Sequence, residues 1–187
     1  MTGTPGAGDG TVRTLLDGAV VTLRALTPSD YDDVVRLASE LTPRERYLRF
    51  LTAYPTYIGE WALSLTAPET QPETARVDDM VALGVFESGE LVGVGNYAVL
   101  PRPGFAEIAV AVAHDQHDRG IGTTLLRELG HRAKASGIHH LVADVHAGNH
   151  AMREVIREAG WPVAQHRDGE VLRLRLDLDG VEDVKDA

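Results

Sequence analysis

Val110–Thr123 reads VAVAHDQHDRGIGT. A branched apolar run gives way to a polar turn. Arg119-Gly120-Ile121-Gly122 then opens a stretch in which Ile121, Leu125, Leu129 and Ala133 recur at helical spacing. The order is strand, glycine-bearing turn, amphipathic helix. The first turn of a helix leaves its N–H groups unpaired and carries positive partial charge, and glycines let a bulky anion come close to them. Such a terminus binds phosphate or pyrophosphate, with Arg119 as a further charge-assisted contact. On the other reading, the two glycines serve only tight helix–strand packing. The stretch has no GxxxxGK[ST], and the glycine pattern of a dinucleotide fold is incomplete.

On either side of this stretch the chain alternates between short strands and helices. Upstream, Asp17-Gly18 between apolar stretches signals a hairpin. Thr27-Pro28 opens a helix with Tyr31, Val34, Val35, Ala38 and Leu41 on one face. Thr42-Pro43 opens a second helix over Arg44 to Leu51, and a third apolar-aromatic stretch runs from Tyr57 to Leu65. Ala67 to Asp78 reads as a surface loop. Met80–Phe86 and Leu91–Leu100 flank the Ser88-Gly89 turn, and Phe105–Ala113 follows as a strand. The helix predicted over Gly120 to Ser136 leads into a strand at Leu141–Val145. Asn149 caps a helix with Met152, Val155, Ile156 and Ala159 inward, ended by Gly160 and Pro162. Val171–Leu176 is the last predicted strand. The layout is mixed α/β around one sheet.

Bulk properties set the frame. The chain has 187 residues, 43% of them apolar and 25% charged, which suits one domain with a sizeable core. We expect a disordered lead over residues 1–10, one domain over 11–178 and an acidic tail over 179–187. Eighteen Lys+Arg against 28 Asp+Glu give a net charge of −10, a poor match to nucleic acid and compatible with cationic amines. Cysteine is absent, which removes disulfide and thiolate chemistry. No apolar run spans a bilayer, and Met1 to Gly10 lacks a signal-peptide core. The expectation is a cytoplasmic protein without membrane or nucleic-acid partners. The oligomeric state stays open. The eight histidines form no helical H-x-x-x-H or His–carboxylate set, so no metal site is expected.

The Val110–Thr123 stretch resembles the acyl-CoA signature of GNAT acetyltransferases, [Q/R]-x-x-G-x-[G/A]. Gly120 and Gly122 fill its small positions, and His117 stands where the family has Gln or Arg. The resemblance implies a GNAT fold: a central mixed, mostly antiparallel sheet with splayed parallel strands and flanking helices. It implies acetyl-CoA as co-substrate. The pyrophosphate role falls on His117, Asp118, Arg119, Gly120, Ile121, Gly122 and Thr123, and pairing with the pantetheine arm on Val110 and Val112. Asn149-His150-Ala151-Met152, with Ala159-Gly160-Trp161 downstream, is similar to the family's second block, where Asn149 and Met152 approach the pantetheine. Many members carry a general-acid Tyr seven residues after this Asn. Here that position is Ile156, which cannot donate a proton.

Val21–Leu51, VTLRALTPSDYDDVVRLASELTPRERYLRFL, looks like the N-terminal segment of bacterial protein-lysine acetyltransferases. The matching positions are Leu23, Arg24, Pro28, Asp30, Leu41, Thr42, Tyr47, Arg49 and Phe50. That subgroup carries a Glu on the strand before the CoA turn, here Glu107. By strand alternation Glu107 shares a face with Ala109, Ala111 and Ala113, opposite Ile108, Val110 and Val112. Read from pattern alone, Glu107 is a solvated strand residue; the resemblance makes it the general base. Tyr47, Arg49 and Phe50 are candidates for the acceptor cleft, as are Asn96 and Tyr97 on the neighbouring strand. The implied activity is acetyl-CoA-dependent N-acetylation, with a protein lysine as acceptor. Two alternatives stand beside it: a small-molecule amine acetyltransferase, acting on a polyamine, amino acid or antibiotic, and a non-catalytic acyl-CoA sensor.

Overall fold

The computed structural model describes residues 10–50, 57–67 and 80–180. Most of the predicted loop from Ala67 to Asp78, the lead over residues 1–9 and the tail beyond residue 180 lie outside the described residues. Among the described residues, eight strands form one sheet: β1 (Thr11–Thr14), β2 (Val20–Ala25), β3 (Met80–Glu87), β4 (Glu90–Val99), β5 (Phe105–Val112), β6 (His140–His146), β7 (Val163–Asp168) and β8 (Val171–Asp177). Their spatial order is β1-β2-β3-β4-β5-β6-β8-β7. Of these described strands, β5 and β6 alone run parallel. That pairing needs a crossover, which α4 (Ile121–Ala135) supplies. The remaining helices are α1 (Tyr31–Glu40), α2 (Pro43–Phe50), α3 (Ile58–Thr66) and α5 (His150–Ala159). No helix among the described residues is long and apolar enough to cross a membrane.

Local chemistry explains the turns. Ser88 and Gly89 both hold positive φ, 51° and 87°, the backbone that a tight two-residue hairpin requires. Asp30 reaches back from the turn after Thr27 and accepts from the Thr27 N–H at 2.7 Å. Its two carboxylate oxygens also take the Arg24 guanidinium at 2.8 Å each. This fork ties the end of β2 to the start of α1.

Two apolar layers cover the sheet. Leu23, Val85, Tyr97, Ile108 and Leu141 of the sheet pack with Leu125, Leu129, Ile156 and Trp161 on the α4–α5 side. Val34, Leu37, Ala62 and Leu65 pack with Leu91, Val94 and Ala111 on the α1–α3 side. The alternation predicted for β5 therefore holds, with Ile108 in one layer and Ala111 in the other. One strand was not predicted. In β7 every residue is exposed, so its side chains carry no apolar alternation. Backbone pairing with β8, from Val163↔Leu176 to Asp168↔Val171, makes it a strand.

Candidate active site

β5 and β6 pair only through Phe105↔His140, Ala106↔Leu141 and Glu107↔Val142. Beyond Glu107 the strands part, although both continue to Val112 and His146. Which main-chain groups face the gap follows from the ladder on the other side of β5. Leu100 donates to the Phe105 carbonyl at 2.9 Å, and Ala113 donates to Val92 at 3.0 Å. Odd-numbered residues of β5 thus turn their N–H and C=O groups toward β4. Ile108, Val110 and Val112 turn theirs into the gap. Buried main chain demands partners, so this edge is suited to an extended amide-bearing ligand. His117 Nε2 lies 3.3 Å from the Val112 carbonyl and 3.6 Å from Glu45 Oε1, at the wide end of the gap.

The turn into α4 is left-handed at two residues, Asp118 (φ 63°) and Gly120 (φ 85°). Gly120 is the N-cap, and no side chain caps the helix there. The first main-chain bond of the helix is Thr124 N–H to Gly120 C=O, 3.0 Å. The amides of Ile121, Gly122 and Thr123 precede it and point outward by helix geometry. The two glycines serve different ends. Gly120 supplies the positive φ, and a Cβ there would stand 3.1 Å from Leu16 Cγ. Gly122 serves packing: a Cβ would meet Val155 of α5 at 2.9 Å. Thr123 Oγ1 donates to Glu158 at 2.7 Å.

Arg119 requires a correction. Its guanidinium does not line the cavity described below. It is held by Glu87 at 2.8 Å through both terminal nitrogens, and by Asp17 and Gln116. These carboxylates raise its pKa further above the usual arginine range. Leu16 N–H also donates to the Arg119 carbonyl at 3.3 Å. The side chain therefore pins the β1–β2 hairpin and the end of β3 to the turn, leaving only its backbone to face an anion.

A cavity of about 710 Å³ runs from this turn along β5 to the face carrying α2 and α3. Its lining takes in Val110, Val112, His117, Asp118, Gly120 through Thr123, Asn149 and Met152. Asn149 caps α5, its Oδ1 accepting the Met152 N–H at 3.0 Å. Glu107, exposed, lines the cavity at the apex where β5 and β6 separate. Arg49, Phe50, Tyr57 and Trp61 also line the cavity. The Arg49 guanidinium lies over Phe50 at 5.0 Å and Trp61 at 5.4 Å. Burial lowers its pKa to about 10, against the opposing charges of Tyr57 and Glu107.

Three proposed acceptor residues stand elsewhere. Tyr97 pairs with Ile108, so it shares that residue's face and lies in the α4–α5 core, 2% exposed. The period of a strand, not proximity in sequence, decides this. Asn96 pairs with Ala109 on the other face, and its amide approaches Met80 Sδ at 3.9 Å rather than the cavity wall. Tyr47 packs edge-on against His146 with ring centres 5.5 Å apart and is absent from the described lining. Ile156 is buried in the core. Sequence reading missed Leu16, Glu45, Trp61, Asp144 and Glu158 of the lining. Asp144, the one polar residue inside the apolar run of β6, was the legible signal among them.

Coenzyme A fits these features: an amide-rich turn for its diphosphate and an open main-chain edge for its pantetheine. The model of the acetyltransferase (GNAT) family matches residues 42–161, more than half of the chain. The chain belongs to the GNAT acetyltransferase family. Members of this family use acetyl-CoA as acetyl donor. Over 81 residues the chain is 36% identical to L-methionine sulfoximine/L-methionine sulfone acetyltransferases of Pseudomonas paraeruginosa and Pseudomonas aeruginosa. That match covers 41% of this chain and about half (47%) of those relatives. The fold superposes on the GNAT domain of Streptomyces lividans PAT with TM-score 0.73 and 25% identity, over 90% of this chain and 96% of that one. It also superposes on the PaiA N-acetyltransferase of Thermoplasma acidophilum in complex with coenzyme A, with TM-score 0.63 and 21% identity, over 84% and 98% of the two chains.

Proposed function

We propose that this protein transfers an acetyl group from acetyl-CoA to a primary amine, and that the amine is a lysine side chain of another protein. The observation that carries the transfer reading is the place of Glu107. It is a carboxylate at the apex of the strand gap, in the same cavity as the amide-rich turn. Acetyl-CoA supplies a thioester carbonyl for attack. The C–N bond forms, the C–S bond breaks with its electron pair leaving on sulfur, and Glu107 accepts the proton shed by nitrogen. A lysine with its ordinary pKa near ~10.4 is rarely neutral at pH 7, so a base beside it contributes roughly 10²–10⁴ in rate. Ile156 offers no proton to the departing sulfur, which leaves as thiolate or takes a proton from water. The likeness of Val21–Leu51 to the N-terminal segment of bacterial protein-lysine acetyltransferases supports the protein acceptor, and the absence of cysteine accords with a cytoplasmic setting.

A small amine is the second reading, favoured by the relatives that acetylate L-methionine sulfoximine and its sulfone. Release of free CoA from acetyl-CoA, followed with a panel of amines and with a cell lysate probed for acetyl-lysine, tests both. We expect CoA release that depends on an amine. Binding of acetyl-CoA with no release under any acceptor would overturn the transfer reading and favour a sensor. Turnover confined to small amines would replace the protein acceptor.

A further inference from the structure

We propose that the acceptor bears a carboxylate beside its amine and that Arg49 receives it. The inference rests on the transfer reading and narrows its substrate class. Arg49 is the one Lys or Arg among the described residues that line the cavity. Several described arginines are paired with acids: Arg24 with Asp30, Arg119 with Asp17 and Glu87, Arg132 with Glu128, Arg173 with Asp144. Arg49 makes no ion pair with a described residue, and its Nε is buried without a hydrogen-bond partner. What it has instead is aromatic: Phe50 and Trp61. At neutral pH it remains charged, since burial brings its pKa down only to about 10.

An unpaired buried donor costs free energy in the protein alone, and a ligand that satisfies it recovers that cost. The guanidinium edge is planar and matches a carboxylate with two parallel bonds, which Nε and a terminal nitrogen can supply together. Glu107 is close enough to Arg49 for their charges to interact. A carboxylate on Arg49 would therefore leave the acceptor's amine on the Glu107 side of the cavity. A polyamine carries no acceptor group for the guanidinium and would leave the buried Arg49 Nε unpaired. Two sources share the required chemistry: the α-carboxylate of a free amino acid, and an acidic side chain flanking a lysine.

The test compares kcat/KM for amino acids against their amides, and for lysine peptides with a neighbouring Glu against the same peptides with Gln. We expect the wild-type protein to prefer the acid of each productive pair by roughly tenfold or more. Arg49→Gln should bring that ratio near one by raising the acceptor KM while the KM for acetyl-CoA holds. Arg49→Lys should keep part of the preference. The pair that shows the effect identifies the source. Equal wild-type turnover of acid and amide, or an equal loss on both in Arg49→Gln, overturns the inference and leaves acetyl transfer standing. Should Arg49→Gln not fold, the wild-type ratios decide alone. Should acetyl-CoA bind with no turnover of any amine, the transfer reading fails. Calorimetric binding of an N-acetyl amino acid against its amide then judges Arg49, and equal affinity overturns its role.

Discussion

Glu107 owes its chemistry to one coordinate, the last paired residue before β5 and β6 separate. Glu107→Gln keeps the shape and hydrogen-bonding reach of the side chain and removes its basicity. Acetyl-CoA affinity by calorimetry should be retained while kcat, followed by CoA release, falls about 10²–10⁴-fold. Unchanged kcat would remove Glu107 from the mechanism. Gly120 answers to a different constraint. Its φ of 85° is left-handed, and Leu16 leaves 3.1 Å for a Cβ. Gly120→Ala should cost about 1–2 kcal/mol in stability and weaken acetyl-CoA binding together, seen as a lower melting temperature and a higher Kd. At this scale the alternation of AEIAVAV made the face of Glu107 legible. Tyr97 was misread because its face depends on the Tyr97↔Ile108 register, which no local pattern specifies.

Between elements, two arginine forks set the frame around the cavity. Arg24 holds the Asp30 carboxyl down to about 2, with the Thr27 N–H and hydroxyl adding to the effect. A depressed folded-state pKa stabilises the protein fully above the ordinary carboxylate value of 3.8, and the stabilisation is lost as pH falls toward about 2. Asp30→Asn should therefore cost about 2 kcal/mol near neutral pH. The difference from wild type in urea unfolding should shrink to nothing near the lower limit, and a pH-independent difference would contradict this account. The second fork, Arg119 on Asp17 and Glu87, positions the turn from behind. The sequence marked Arg119 as part of the turn. It could not show that acids distant in sequence claim the guanidinium.

At the scale of the whole molecule, the cavity exists because helices cover the two faces of the sheet separately while β5 and β6 part between them. A ligand in that gap binds only the folded chain. Acetyl-CoA at about 100 times its Kd should add ~2.7 kcal/mol of stability, a rise in melting temperature of roughly 5–10 °C for a domain of this size. No shift at such concentrations would argue against the CoA site. Trp161 closes the α4–α5 layer where Gly130 leaves room, and a Cβ at Gly130 would collide with its indole. Gly130→Ala should destabilise by about 1–3 kcal/mol, read from chemical unfolding.

The sequence by itself determined the features with short-range causes. Apolar periodicity specified most strands and helices, Gly120 specified the turn, Asn149 the start of α5, and alternation the face that carries Glu107. These follow from backbone sterics and from side chains within a few residues of one another. The tertiary structure decided what depends on distant chain segments meeting. It buried Tyr97 through strand register, made β7 a strand by pairing an exposed segment with β8, and drew the Arg119 side chain away to Asp17 and Glu87. It also left Arg49 without an ion pair to any described residue, while bringing Arg119 to Asp17 and Glu87 from distant parts of the chain, because packing decides which distant charges meet.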